Sequence, residues 1–167
     1  PAYGRTTKYE YNAKGQTTGM YTFFGEPQSV YTQYYYNITG NQDSTSITTS
    51  GLTPRTSASV YDPKGRYVMS SRNTLGQSST VSAYDVRWAK ALSTTGIDGL
   101  TTTYEYDAFG RLTHTHLPQG YTVNTNYTWE LVFPQIYSIT TQHPGKPDVK
   151  TWYDRSNRVL QTRTYGL

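Results

Sequence analysis

Apolar and polar residues alternate in short runs along this chain, and the runs break at regular intervals. Tyr121, Val123, Thr125, Tyr127 and Trp129 share one parity, while Thr122, Asn124, Asn126 and Thr128 share the other. Tyr9 and Tyr11 flank Glu10, and Tyr104 and Tyr106 flank Glu105, in the same way. A period of two residues marks a half-buried strand, because successive side chains leave the backbone on opposite faces. The tyrosines are therefore expected on one face and Glu10 and Glu105 on the other. Strands of about seven residues, roughly 23 Å long, fit between the breaks. The pattern predicts an all-β chain, a long antiparallel meander of short hairpins with about a dozen strands. Residues 86–92 form the one segment with helical character. They lie where a turn is due, so a weak helix or an irregular turn is expected there.

The breaks themselves repeat. Tyr11-Asn12-Ala13-Lys14-Gly15-Gln16 is followed by Tyr36-Asn37-Ile38-Thr39-Gly40-Asn41 and Tyr61-Asp62-Pro63-Lys64-Gly65-Arg66. Tyr106-Asp107-Ala108-Phe109-Gly110-Arg111 and Tyr153-Asp154-Arg155-Ser156-Asn157-Arg158 come later. Arg72-Asn73-Thr74-Leu75-Gly76-Gln77 is a weaker copy without the tyrosine, Tyr84-Asp85 lacks the glycine, and Tyr127 keeps only the ring. Tyrosines 11, 36, 61, 84, 106, 127 and 153 are 25, 25, 23, 22, 21 and 26 residues apart. A period of this length denotes an array of one supersecondary unit.

Each copy reads as a hairpin turn. Asp or Asn at the first position caps the backbone two residues on, and Pro63 occupies the second position, where its fixed φ suits a type I turn. Gly15, Gly40, Gly65, Gly76 and Gly110 then supply a left-handed position, giving a type I turn with a G1 bulge. Asn157 takes that place in the last copy. The closing residue varies in step with the first. Asp62, Asp107 and Asp154 face Arg66, Arg111 and Arg158, whereas Asn12, Asn37 and Asn73 face Gln16, Asn41 and Gln77. A second set of breakers (25–27, 50–54, 96–99, 117–120 and 143–147) lies about midway, so one period is two strands and two turns.

Composition supports an extended sheet over a compact core. Mean hydropathy is −0.73, yet aromatic residues make up 15% of the chain and 18 of them are tyrosines, while charged residues are only 16%. Tyrosine covers apolar area while its hydroxyl stays wet, and Thr and Tyr favour strands. There is no cysteine, which excludes disulfides and thiolate chemistry. No apolar run approaches the roughly 20 residues of a membrane helix. The +4 net charge is scattered, without the basic cluster that nucleic acid requires.

Tyr-Asp-x-x-Gly-Arg with a period in the low twenties is similar to the YD-repeat or RHS-repeat family of bacterial RHS and polymorphic toxins, toxin-complex cocoon components and teneurin-like shells. Tyr106 to Leu112 followed by Pro118-Gln119-Gly120 is the nearest to an ideal repeat, and degenerate copies extend the match over essentially the whole chain. The resemblance implies a curved hairpin sheet, an arc of a larger shell, secreted or at the cell surface, that in many members encloses a C-terminal toxin or effector. Residues 1–167 are then expected to be a single array segment of a larger protein, opening at Pro1-Ala2-Tyr3-Gly4 and ending at Tyr165-Gly166-Leu167 without an obvious cap. Its expected partners are neighbouring repeats of the same parent chain, with self-association through unpaired sheet edges as a second contact.

Candidate chemistry is sparse. Asp62-Pro63-Lys64-Gly65 superficially resembles an Asp-Pro-x-Gly stretch of the self-cleaving segment in bacterial members, but it sits inside an ordinary repeat and reads as a turn. His114 and His116 share a strand face without an evident third metal ligand, and His143 is distant in sequence. Asn37-Ile38-Thr39 and Asn126-Tyr127-Thr128 match the glycosylation sequon, which carries no weight in a bacterial chain. No catalytic residue, cofactor or metal site is expected. The alternative function is a carbohydrate-binding or adhesive surface built on exposed aromatics.

Overall fold

A computed structural model describes residues 5–131 and 133–166 of the chain. The expected uncapped opening at residues 1–4, and Leu167 at the other end, lie outside the described residues. Contacts divide the chain into two compact units, Pro1–Val81 and Ser82–Leu167.

The first unit contains β1 (Thr7–Tyr11), β2 (Thr17–Thr22), β3 (Val30–Tyr36), β4 (Gln42–Thr49), β5 (Arg55–Tyr61) and β6 (Val68–Arg72). β7 (Ser78–Asp85) runs across the boundary and pairs with β6 through its first residues. The second unit contains β8 (Lys90–Thr95), β9 (Thr101–Tyr106), β10 (Leu112–His116), β11 (Thr122–Trp129), β12 (Tyr137–Gln142), β13 (Asp148–Tyr153) and β14 (Val159–Tyr165). Within each unit every strand is antiparallel to the next, and strand order follows the sequence. Among the described residues there is no helix, and the 86–92 segment resolves into a turn leading into β8. The fold is the all-β antiparallel meander that the alternation predicts, with fourteen strands.

The turn chemistry explains the register. In the first copy Gly15 N–H donates to the Asn12 carbonyl and Asn12 N–H to the Gln16 carbonyl, both at 3.0 Å. The Asn12 side-chain oxygen accepts the N–H groups of Lys14 and Gln16 at 2.9 and 3.0 Å. The same double acceptance recurs at Asn37, Asn73, Asp107 and Asp154. Asp62 shifts by one residue, accepting from Arg66 and Tyr67, and its N–H reaches the Tyr67 carbonyl. Ladder register slips at Glu10/Tyr11, Tyr35/Tyr36, Val60/Tyr61 and Trp152/Tyr153, which is the bulge such a turn demands. Gly65 and Gly110 have φ of 68° and 75°, and Asn157 stands at 64°.

Because consecutive strands reverse, turns after β1, β3 and β5 share one edge of the first unit, and turns after β2, β4 and β6 the other. The copy from Asn73 to Gly76 therefore has the same hydrogen bonds as its neighbours but lies on the opposite edge. In the second unit the turns after β9 and β13 share an edge with the turn at 85–90, where Ala89 holds the left-handed position at φ 53°.

Among the described residues neither unit encloses a conventional core: the buried side chains there are Val123, Trp152, Thr32, Ser138 and Asp154. Ser138 is fully buried and its hydroxyl donates to Glu130 at 2.7 Å, which in turn pairs with Lys150 at 3.0 Å.

Candidate functional site: the seam between successive turns

The motif residues meet along the edge where the tyrosine-bearing turns lie. The closing residue of one turn reaches forward to the glycine of the next. Gln16 Nε2 donates to the Gly40 carbonyl at 3.0 Å, and Asn41 Nδ2 to the Gly65 carbonyl at 2.6 Å. In the second unit Lys90 Nζ donates to the Gly110 carbonyl, also at 2.6 Å. The tyrosine of the next motif returns the contact. Tyr36 Oη donates to the Thr17 carbonyl at 2.7 Å, Tyr61 Oη to that of Gln42 at 3.1 Å and Tyr106 Oη to that of Ala91 at 2.8 Å. Each accepting carbonyl belongs to the residue just after a closing residue. Among the described residues three complete two-point stitches result, two in the first unit and one in the second.

Packing makes two of these glycines obligatory. A Cβ on Gly65 would stand 2.5 Å from Thr39 Oγ1, and one on Gly110 would stand 2.6 Å from Cδ2 of Trp88, whereas one on Gly15 would meet nothing within 4 Å. Gly65 and Gly110 are thus held both by φ and by the preceding turn seated against them.

Arginine-closed turns work differently. Arg66, Arg111 and Arg158 fold back on Asp62, Asp107 and Asp154, with N–O distances of 3.2, 2.6 and 2.7 Å. Arg111 then lays its guanidinium over the Tyr127 ring at 4.6 Å, which accounts for a repeat position that keeps only its ring. Tyr153 stacks on Tyr137 at 4.8 Å, and the Tyr137 hydroxyl donates to the Asn157 side-chain oxygen. Hydrogen bonds from the Arg158 backbone N–H and guanidinium hold the Asp154 carboxyl below the usual carboxylate range. Burial pushes the Asp62 and Asp107 carboxyls up. It is outweighed by the N–H groups of Tyr67 and Arg66 at Asp62, and by the N–H and guanidinium of Arg111 at Asp107, so both also lie low.

The predicted pairing of amide with amide holds at Asn12–Gln16, 2.9 Å, and Asn73–Gln77, 2.8 Å. Asn41 is too short to reach across in the same way, and its amide serves Thr39 and the next turn instead. The forward reach of Gln16, Asn41 and Lys90 was not read from the sequence. Its signal was present as the constant offset of 24 residues from Gln16 to Gly40 and from Asn41 to Gly65. The remaining candidates stay apart from the seam: Asp62 and Pro63 occupy a turn, and His114 and His116 face Glu105 on the sheet surface. Among the described residues no three His, Cys, Asp or Glu side chains form a metal-holding group.

Fold and seam together define, within each unit, a β-hairpin repeat array in which successive repeats are bonded through turn residues. Residues 91–122, which contain Tyr106 and Gly110 of the third stitch, match the family model described as RHS Repeat. No curated protein matches the chain. Solved structures that resemble it include "Crystal Structure of TcdB2-TccC3 without hypervariable C-terminal region" at 15% identity and TM-score 0.36, and "Crystal Structure of TcdB2-TccC3" at 15% and 0.35. Each match covers 95% of this chain, and 11% and 12% of the other, so the chain spans about a ninth of those proteins.

Proposed function

We propose that this chain is a structural scaffold, an RHS-type wall segment of a larger secreted or cell-surface protein, and not an enzyme. The observation that carries this reading is the seam. At Tyr36/Gly40, Tyr61/Gly65 and Tyr106/Gly110 the tyrosine and glycine of the motif bind the preceding repeat, so the recurring residues at these motifs serve to join repeats. Enclosure of a C-terminal toxin is part of the reading through family resemblance alone.

Sedimentation velocity combined with thermal melting tests it. β1 and β14 each pair on one side only among the described residues, and unpaired edges recruit partners. The isolated chain is expected to self-associate or to melt at low temperature. A strictly monomeric, highly stable particle at high concentration would instead make this a self-contained domain. Mass spectrometry after prolonged incubation at neutral pH is expected to show no scission between Asp62 and Pro63.

One observation favours the carbohydrate-binding alternative. Arg111, Tyr127, Thr128, Trp129 and Tyr137 line a cleft of about 220 Å³, and Trp129 is 70% exposed. An exposed indole beside a cation is a stacking platform for a sugar ring. A glycan-array signal lost in Trp129→Ala would move this reading ahead of the wall segment.

A further inference from the structure

The sheet face bearing Glu105 carries a group of titratable residues that the seam does not use. Glu105 stands opposite His114 in the β9–β10 ladder, and His116 is diagonal to it. One carboxylate serves both rings: Oε2 lies 3.2 Å from His114 Nδ1 and Oε1 lies 2.8 Å from His116 Nε2. The two imidazoles are parallel within 5°, with centroids 6.1 Å apart. On the far side His116 Nδ1 meets Thr122 Oγ1 of β11 at 2.9 Å, so the group ties three adjacent strands.

The surroundings isolate it. In ladder register β8 offers Ser93 and Thr95, and β11 offers Thr122 and Asn124. Asn124 pairs with Gln142 of β12, whose amide is bonded to Asp148 at 2.7 Å. Lys150, the other charge on β13, is held by Glu130. No charged residue of β8, β11 or β12 faces the three by register.

We propose that Glu105, His114 and His116 form an acid-tightened clamp across β9, β10 and β11, firmer near pH 5.5 than near pH 7.5, because histidine is the side chain that gains charge in that interval. The carboxylate remains ionised throughout. The His116 hydrogen bond, with the nearby charge of both rings, holds Glu105 below the usual carboxylate range. A ring that gains a proton on acidification therefore meets a charged oxygen already 2.8 to 3.2 Å away. The clamp acts on pairing within the second unit and does not depend on the wall-segment reading.

Hydrogen exchange followed by mass spectrometry tests it on the full chain, in EDTA, at about pH 7.5 and about pH 5.5, with intrinsic rates corrected. Peptides from β12 and β13 serve as the internal reference. Protection of β9 and β10 relative to that reference is expected to rise about two- to fivefold on acidification, the range of an exposed ion pair. The rise should persist in His143→Gln, because His143 has no carboxylate within ion-pair distance among the described residues. It should vanish in Glu105→Gln and in the double variant His114→Gln/His116→Gln, and shrink in high salt. Unchanged protection in the wild type, or a rise that survives Glu105→Gln, overturns the clamp.

Discussion

The turns closed by amides and the turns closed by arginines solve one problem with different chemistry. At Asn12 and Asn37 the side chain at the head of the turn is neutral, and the closing amide has donors to spare. Gln16 and Asn41 send them to the next glycine carbonyl. At Asp107 the closing guanidinium is drawn back by the carboxylate, at 2.6 Å, and lies over the face of Tyr127 in the next repeat. An amide link is a directional hydrogen bond that fixes spacing, whereas a cation over a ring tolerates displacement. The sequence spacing agrees. Repeats starting at Tyr11 and Tyr36 keep a period of 25, and later periods run from 21 to 26.

The largest effect that separates the turns should come from their glycines. Gly110→Val places a β-branched residue at φ 75° and drives its Cβ into Trp88. Strain at positive φ costs about 1–3 kcal/mol and overpacking about as much again, so a loss of about 2–5 kcal/mol is expected. Gly15→Val has the same strain, at φ 77°, but open space around it, and should cost only about 1–3 kcal/mol. Denaturant midpoints that rank the two variants equally would show that the preceding turn is not seated on Gly110.

Much of this was legible in the sequence, for a physical reason. A turn is local: Asp or Asn at one position and Gly three residues later specify their own backbone, so the positions of Gly65 and Gly110 and the strands between them follow from spacing. The seam is not local. Lys90 lies in a turn whose glycine is replaced by Ala89, and nothing in Tyr84-Asp85 announces that the closing lysine would bond Gly110 twenty residues on. Likewise the parity that set Glu105 opposite the tyrosines gave its face. Its meeting with His114 and His116 depended on the β9–β10 register, which a bulge between Leu112 and His114 shifts.

A smaller effect probes the stitches directly. Asn41→Ala and Tyr61→Phe each delete one of the two bonds joining the second and third turns, and each should cost about 0.5–1.5 kcal/mol. Since both bonds hold the same pair of turns, the double variant should depart from additivity. Strict additivity in a double-mutant cycle would mean that the two contacts form independently and that the seam is not a unit.

Acid should discriminate the two chemistries next. Asp107 and Asp154 are held below the ordinary carboxylate range. The stability they contribute is therefore full above that range and lost as pH falls through their lowered values, below about pH 4. The turns at 12–15 and 37–40 contain no carboxylate. Hydrogen exchange at low pH should expose the Arg111 and Arg158 amides while those of Gln16 and Asn41 stay protected. Simultaneous opening of all four would erase the distinction.

The smallest effect is expected where two terms cancel. Asn157 occupies the left-handed position of the last motif at φ 64°, and glycine adopts that conformation without the penalty a Cβ imposes. Taken alone, Asn157→Gly should stabilise by a few tenths to about 1 kcal/mol. The side chain, however, is not idle. Its oxygen accepts the Tyr137 hydroxyl, and Tyr137 is stacked on Tyr153 of the same motif. Removing that acceptor costs about 0.5–1.5 kcal/mol, reduced because the hydroxyl can turn to water. The net change should lie within about 0.5 kcal/mol of zero. Tyr137→Phe separates the terms. In that background the hydrogen bond is already gone, and Asn157→Gly should become plainly stabilising. If Asn157→Gly is equally neutral with and without the hydroxyl, asparagine holds the turn by backbone tolerance alone, and the last repeat lacks the kind of side-chain link that joins the motifs of Tyr36, Tyr61 and Tyr106 to their predecessors.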